Sequence, residues 1–166
     1  MSTKTYRILA AVCAVLTLLC LAMIFRFGTQ NSKASMAESK KVVEKVKEVA
    51  KAVENVDLAD TEKKSESLTS KVRKSAHAIE FFVLGVCSTL TVVFFFKGFD
   101  RKYPFLPSTL CFAAAVADEY IQGKIKRSSR VTDIVIDVCG AVAGIILVAV
   151  IFGIITLINK KRNKNA

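Results

Sequence analysis

Four long apolar segments limit what this chain can fold into more than any other feature of its sequence. They cover residues 6–27, 76–96, 105–121 and 134–158. The hydrocarbon core of a bilayer is about 30 Å thick, and about 20 helical residues cross it at about 1.5 Å per residue. Because a backbone in lipid must satisfy its own polar groups, each segment is predicted to be a helix. We therefore predict an all-α fold, a four-helix transmembrane bundle that forms a single domain over residues 1–166.

The third of these segments is the shortest. Its uninterrupted apolar core runs only from Leu110 to Ala117, and Pro104 and Pro107 stand at its start. Proline is tolerated in the first turn of a helix, so this segment still predicts a short span.

The composition excludes an ordinary soluble domain, and the charge distribution argues against a nucleic-acid-binding protein. Hydrophobic residues make up 52% of the chain, which is high for a soluble domain of this length. The formal net charge is +11, but the basic residues are spread over every connecting segment and form no single basic face. Basic residues that flank spans are typical of a membrane surface with anionic lipid. We therefore predict membrane lipids, and no nucleic acid, as partners, and we make no prediction of the oligomeric state.

The connection between the first two spans carries a valine stripe that predicts an amphipathic helix over residues 38–57. Its valines are separated by steps of four and three residues, at Val42, Val46, Val49, Val53 and Val56. Ser35 and Glu38 can form a capping box at its start. We favour a helix that lies on the membrane or packs on its own bundle, because two heptads are short for a free coiled coil, the alternative.

Acidic residues within or at the edge of the apolar segments mark the candidate site. A charge at the bilayer centre costs at least about 2.5 kcal/mol on insertion scales, so such residues are expected to face the bundle interior or a water-filled cavity. Five acidic residues occupy these positions: Glu80, Asp118, Glu119, Asp133 and Asp137.

Helical spacing predicts that these polar residues meet. Arg73, His77 and Glu80 follow one another at intervals of four and three residues, which puts them on one face of the second span. Asp118 and Gln122 are one turn apart at the end of the third span. In an up-and-down bundle, these ends lie at the same membrane face. The predicted site comprises Arg73, Lys74, His77, Glu80, Asp118, Glu119, Gln122, Arg127, Asp133 and Asp137, with Arg130 beside it.

Basic residues at both ends predict the orientation. Lys4 and Arg7 precede the first span, and a basic cluster follows the fourth, over residues 160–164. The positive-inside rule then places both termini in the cytoplasm and the polar site at the outer face. The many basic residues of the first connection oppose this orientation, but with four spans the first and third connections share a side in either case.

The motifs resemble the VanZ-like membrane proteins when taken together and in order. They are Arg-Lys-Ser-Ala-His-Ala-Ile-Glu-Phe at 73–81 with Leu84-Gly85, Asp-Glu-Tyr-Ile-Gln at 118–122, Arg127 six residues before Asp133, Asp-Ile-Val-Ile-Asp at 133–137 with Gly140 and Gly144, and Met-Ile-Phe-Arg-Phe-Gly-Thr-Gln at 23–30. The chain departs from the family at 123–126, where Gly-Lys-Ile-Lys replaces the usual aromatic-x-Pro-Gly turn. The resemblance implies a multi-pass protein of the bacterial plasma membrane, from a family named for low-level resistance to teicoplanin and related lipoglycopeptides. It implies no reaction mechanism.

Three roles remain open for the polar cluster. In a catalytic site, His77 would act as general base together with the carboxylates of Glu80, Asp118, Glu119 and Asp133. The groups predicted to hold an anionic substrate, such as a lipid-linked envelope intermediate, are Arg73, Lys74, Gln122, Arg127 and Asp137. No recognisable motif surrounds the candidate nucleophiles Ser75, Ser128 and Ser129.

The other two roles involve no reaction. A binding site would recognise an envelope lipid or exclude a lipoglycopeptide antibiotic without turnover. A structural cluster would clip the helices together by ion pairs, from Arg73 or Lys74 to Asp118 or Glu119, and from Arg127 to Asp133 or Asp137. Buried ion pairs are often poor stabilisers, which makes a purely structural cluster of this size less attractive.

Metal binding is a further option, through His77 with Glu80 and Asp118. One imidazole with carboxylates serves ordinary acid–base chemistry equally well, and the five cysteines lie in apolar segments without metal-ligand spacing. We therefore predict no metal and no cofactor.

Gly140 and Gly144 form a pair of small residues one turn apart on the fourth span. Such a pair permits close approach of a second helix, either within the monomer or in a dimer. We predict packing within the monomer.

Overall fold

A computed structural model describes residues 2–29, 40–45, 62–98, 102–124 and 131–164. Four long helices account for most of these residues: α1 (Thr3–Gly28), α2 (Glu62–Phe95), α3 (Phe105–Lys124) and α4 (Val131–Lys164). The described part of the chain contains no strand. The all-helical prediction is therefore confirmed.

Three helical stretches are long and apolar enough to cross a membrane: Thr3–Gly28, Lys71–Phe95 and Val131–Asn159. They coincide with the first, second and fourth predicted spans, and α2 and α4 extend beyond the predicted bounds. The third predicted span corresponds to α3, which has 20 residues and is not among these three stretches. The end of α3 contributes Asp118, Glu119 and Gln122, and all three are buried against the other helices.

Both ends of α1 are capped by side-chain hydrogen bonds. The Ser2 hydroxyl accepts from the backbone N–H of Thr5, at 3.2 Å. At the other end, the Thr29 hydroxyl donates to the carbonyl of Arg26, at 2.8 Å. Helix ends leave backbone groups unpaired, so these caps define where α1 starts and stops. They place Gly28 as the last residue of the helix, where it is buried.

Glycines bring α2 and α4 into close contact. A Cβ atom built on Gly140 would overlap the carbonyl oxygen of Ala78, and one on Gly144 would overlap that of Phe82. In the reverse direction, a Cβ on Gly85 of α2 would overlap the carbonyl oxygen of Ala141. The predicted use of Gly140 and Gly144 within the monomer is thus confirmed.

A small core draws residues from all four helices. It consists of Ile24, Phe81, Leu84, Cys111, Ala114, Ala115 and Ala141. Hydroxyl groups inside the apolar stretches donate back along their own helix, as Thr89 does to the carbonyl of Gly85 at 2.7 Å and Ser88 to that of Leu84 at 2.7 Å. These bonds satisfy polar groups that could find no water in a bilayer. Large apolar side chains such as Leu18 and Ile146 point outward, as expected for helices surrounded by lipid.

Of the predicted amphipathic helix at 38–57, the structure describes residues 40–45, which are helical. Val43 is buried there, whereas Val42, a member of the predicted valine stripe, is exposed. The rest of this predicted helix lies outside the described residues, as do Ser35 and Glu38 of the capping box.

Candidate functional site

The candidate site lies directly beside the core, where the end of α1, the first half of α2, the end of α3 and the start of α4 meet. Phe81 of the core is fully buried one helical turn after His77. The polar residues of α2 are thus followed directly along the helix by a residue of the apolar core.

His77 lies near Glu80 on α2, as the spacing predicts. The distance from Nδ1 of His77 to Oε2 of Glu80 is 3.7 Å, and both side chains are largely buried. A carboxylate at this position can orient the imidazole and stabilise its protonated form.

The end of α3 contributes three buried polar side chains, those of Asp118, Glu119 and Gln122. The Gln122 amide donates through Nε2 to Oδ2 of Asp118, at 2.6 Å. This bond joins residues one turn apart on the same side of α3, as predicted, and it holds the Asp118 carboxylate in one orientation.

The start of α4 contributes Asp133 and Asp137. Nζ of Lys74 lies 3.4 Å from Oδ1 of Asp133. The sequence analysis expected Arg73 or Lys74 to pair with Asp118 or Glu119 of α3, and of these two basic residues Lys74 instead contacts an acid of α4. Spacing along one helix could not predict this contact, because it does not define the rotation of that helix relative to another.

Three helices bring His77, Asp118 and Asp137 into one cluster. Each of the three side chains has one nitrogen or oxygen atom that could bind a metal ion, and these three atoms all lie within 4.8 Å of one another. Asp118 and Asp137 are fully buried or nearly so. The ionisable groups of distant parts of the chain are thus gathered at one end of the bundle.

A narrow cavity opens beside this cluster. Its volume is about 10 Å³, the space of about one water molecule. The residues that line it are Arg73, Lys74, His77, Glu119, Gln122, Asp133, Ile136 and Asp137. Among these described lining residues there is no hydroxyl or thiol group, and Ser75 is exposed elsewhere on α2.

Gly28 is a site-adjacent residue that spacing arguments did not single out. A Cβ atom at this position would overlap Oδ1 of Asp118, so the absence of a side chain lets the end of α1 approach the cluster. The available signal was the motif at 23–30, which contains Gly28.

Of the ten predicted site residues, Arg127 lies outside the described part of the chain, as does the neighbouring Arg130.

Residues 13–153 match the model of a protein family described as VanZ/LLP1. The match begins within α1, ends within α4 and includes every residue of the candidate site. Comparison with curated proteins and with solved structures gives no match.

Proposed function

Because the chain belongs to the VanZ/LLP1 family of membrane proteins, we propose that it acts on a lipid of the bacterial cell envelope through the polar site at one membrane face. The family is linked to glycopeptide resistance. A change in an envelope lipid would alter the target of such an antibiotic or its access to that target.

The observation that carries this proposal is the position of one imidazole between carboxylates of different helices, in a cavity edged by two cations. Arg73 and Lys74 line the same cavity as His77. Basic side chains bind phosphate by charge-assisted hydrogen bonds, and Arg does so with two parallel bonds. An anionic lipid head group is therefore the substrate class that fits, with Arg127 as a further proposed contact.

The lining residues favour water as the attacking group. No hydroxyl or thiol is found among them in the described part of the site, so a covalent intermediate of the serine or cysteine type has no nucleophile there. His77 would take a proton from water, and the resulting hydroxide would attack the phosphorus atom and break its bond to the leaving oxygen. That oxygen would receive its proton from His77 or from a neighbouring carboxylic acid.

A second candidate function is binding without turnover, in which the site holds a lipid head group or excludes an acylated antibiotic. The small cavity favours it, because about 10 Å³ admits a water molecule but not a whole head group. The head group would then rest above the cavity, against Arg73 and Lys74.

Replacing the imidazole separates these functions. We expect His77→Ala to lower turnover of a phosphate-linked envelope lipid in detergent by about 100-fold or more, because general-base catalysis contributes about 10²- to 10⁴-fold. The measurement is product release by the purified chain, with Ser75→Ala as control, since Ser75 is exposed and two residues away. Turnover that is equal in both variants would refute the catalytic proposal, whereas lipid binding by the wild type with no product over hours would establish the binding function.

We also propose that α3 crosses the membrane together with the other three helices, so that the site faces outward. Its 20 residues extend about 30 Å, and its polar end is buried inside the bundle. Single cysteines in place of Lys102, Lys124 and Lys161, all exposed, report the topology through a membrane-impermeant maleimide in intact cells. We expect only Lys124→Cys to be labelled above the level of the parent chain. If Lys102→Cys and Lys124→Cys behave alike, α3 does not span.

A further inference from the structure

We propose that His77, Asp118 and Asp137 bind one divalent transition-metal cation. Their ligand-type atoms all lie within 4.8 Å of one another. Ligands that contact one cation at about 2.0–2.2 Å are separated from each other by less than about 4.5 Å, so small side-chain movements complete the site. The three residues come from α2, α3 and α4, and a bound cation would join these helices.

Asp137 provides independent support, because one oxygen of its buried carboxylate has no hydrogen-bond partner among the described residues. The residue is 2% exposed, and its Oδ1 atom receives no hydrogen bond from the described residues. A buried carboxylate without a counter-charge is strongly unfavourable, so buried charges in proteins are paired or coordinate metals. Asp137 lines the same cavity as His77, which is where a cation would supply the missing charge.

The wider charge balance points in the same direction. The described residues of the site include five carboxyl side chains, those of Glu80, Asp118, Glu119, Asp133 and Asp137, but only two Arg or Lys side chains, Arg73 and Lys74. One of these, Lys74, lies 3.4 Å from Asp133, which is not one of the three proposed ligands. A divalent cation would offset the excess negative charge at the centre of the cluster.

The donor set selects the class of metal. One imidazole nitrogen with two carboxylate oxygens suits Zn²⁺ or Mn²⁺, whereas Ca²⁺ and Mg²⁺ prefer oxygen ligands alone. Three protein ligands with a remaining open position are typical of catalytic zinc sites. The adjoining cavity of about 10 Å³ has room for one water molecule at that position.

Neighbouring side chains complete the arrangement. Gln122 donates to Oδ2 of Asp118 at 2.6 Å, which holds that carboxylate in one orientation. Nδ1 of His77 lies 3.7 Å from Oε2 of Glu80, which is too long for a hydrogen bond. We therefore assign Nε2 as the ligand, and a small side-chain movement on metal binding would let Nδ1–H donate to Glu80. Ligating histidines usually donate their second ring N–H in this way. With the cation bound, both ring nitrogens of His77 are occupied, so a carboxylate that lines the cavity, such as Glu119, would take the proton from water in the proposed lipid reaction. Cation binding is measured without lipid substrate, so its failure would leave the proposed lipid reaction with His77 as the base.

The experiment uses the full chain without a histidine tag, purified in detergent and treated with a chelator. Zn²⁺ and Mn²⁺ are titrated separately by calorimetry, and bound metal is quantified after desalting. We expect the wild type to bind one ion per chain. Asp137→Asn and Asp118→Asn should each lower the affinity by about 100-fold or more, because loss of a group that only hydrogen-bonds to a metal ligand already lowers metal affinity by about 10- to 100-fold. Asp133→Asn is the matched control: it removes an acid one turn from Asp137 on α4 and should retain one ion per chain with a much smaller decrease in affinity.

A direct readout on the wild-type chain avoids any effect of the variants on folding. The sequence contains one histidine, so ¹⁵N labelling of histidine produces the signals of His77 alone. We expect Zn²⁺ to shift the ring nitrogen signals at one equivalent and chelator to reverse the shift. The proposal is overturned if neither cation binds, if the His77 signals do not respond, or if Asp137→Asn and Asp133→Asn bind the metal equally.

Discussion

Gly144→Leu is expected to separate α4 from α2 and to lower the free energy of unfolding by about 3 kcal/mol or more. A Cβ atom at this position would meet the carbonyl oxygen of Phe82 and the backbone nitrogen of Val86. Backbone atoms of a helix cannot move aside as a flexible side chain can, so the whole helix must shift. Overpacking of a core usually costs about 1–3 kcal/mol, and a leucine against a neighbouring backbone belongs at or above the top of that range.

Gly153→Leu on the same helix is the matched control. A Cβ atom at Gly153 has no atom within 4 Å, so leucine there adds only its better helix propensity, about 0.8 kcal/mol relative to glycine. We expect this variant to be as stable as the wild type or slightly more stable. Thermal unfolding in detergent, followed by the loss of monodisperse protein on size exclusion, measures both variants. Equal destabilisation by the two substitutions would show that α2 and α4 are not held at the distance described above.

Asp137→Asn is expected to stabilise the metal-free protein, by about 1–3 kcal/mol. Its carboxylate is buried near that of Asp118, and its Oδ1 atom has no hydrogen-bond partner among the described residues. When both carboxylates are ionised, charges within 4.8 Å of each other repel by about 3 kcal/mol or more at an effective dielectric constant of 20. The asparagine amide is neutral and can donate to the neighbouring carboxylate. Residues that are retained at a cost in stability are typical of functional sites.

Asp133→Asn is expected to lower the free energy of unfolding, which is the opposite of the effect expected for Asp137→Asn. Asp133 pairs with Lys74 at 3.4 Å, with both side chains partly exposed, so its loss should lower the free energy of unfolding by at most about 1 kcal/mol. Chelator-treated samples of both variants and of the wild type are compared by thermal unfolding. If Asp137→Asn is the more destabilising of the two, Asp137 holds the helices together and the cluster is structural.

Much of the site could be predicted from residue spacing because each helix presents its residues with a fixed periodicity. His77 and Glu80 on α2, and Asp118 and Gln122 on α3, are neighbours for this reason alone. The all-helical fold could likewise be predicted, because the apolar segments are long enough to cross a membrane as helices. The polar residues stood out because ionisable groups within such segments are expensive unless they face the interior.

Relations between helices were harder to predict. The sequence offered His77, Glu80 and Asp118 as an optional set of metal ligands while predicting no metal, and the structure groups His77 and Asp118 with Asp137. The sequence also offered Arg73 or Lys74 as a partner of α3, and Lys74 contacts Asp133 of α4. Both differences concern the rotation and depth of one helix against another, which the spacing of residues along one helix does not define.

The amino-acid order alone established the apolar helices, the face of each helix that carries polar groups, and the end of the bundle where those groups lie. These properties depend on hydrophobicity and on the 3.6-residue period, and both act over a few neighbouring residues. The tertiary structure decided which carboxylates surround His77 and how closely α1 approaches Asp118. Those distances depend on where Gly28, Gly85, Gly140 and Gly144 let helices touch, because close packing between distant parts of the chain sets the rotation and depth of each helix.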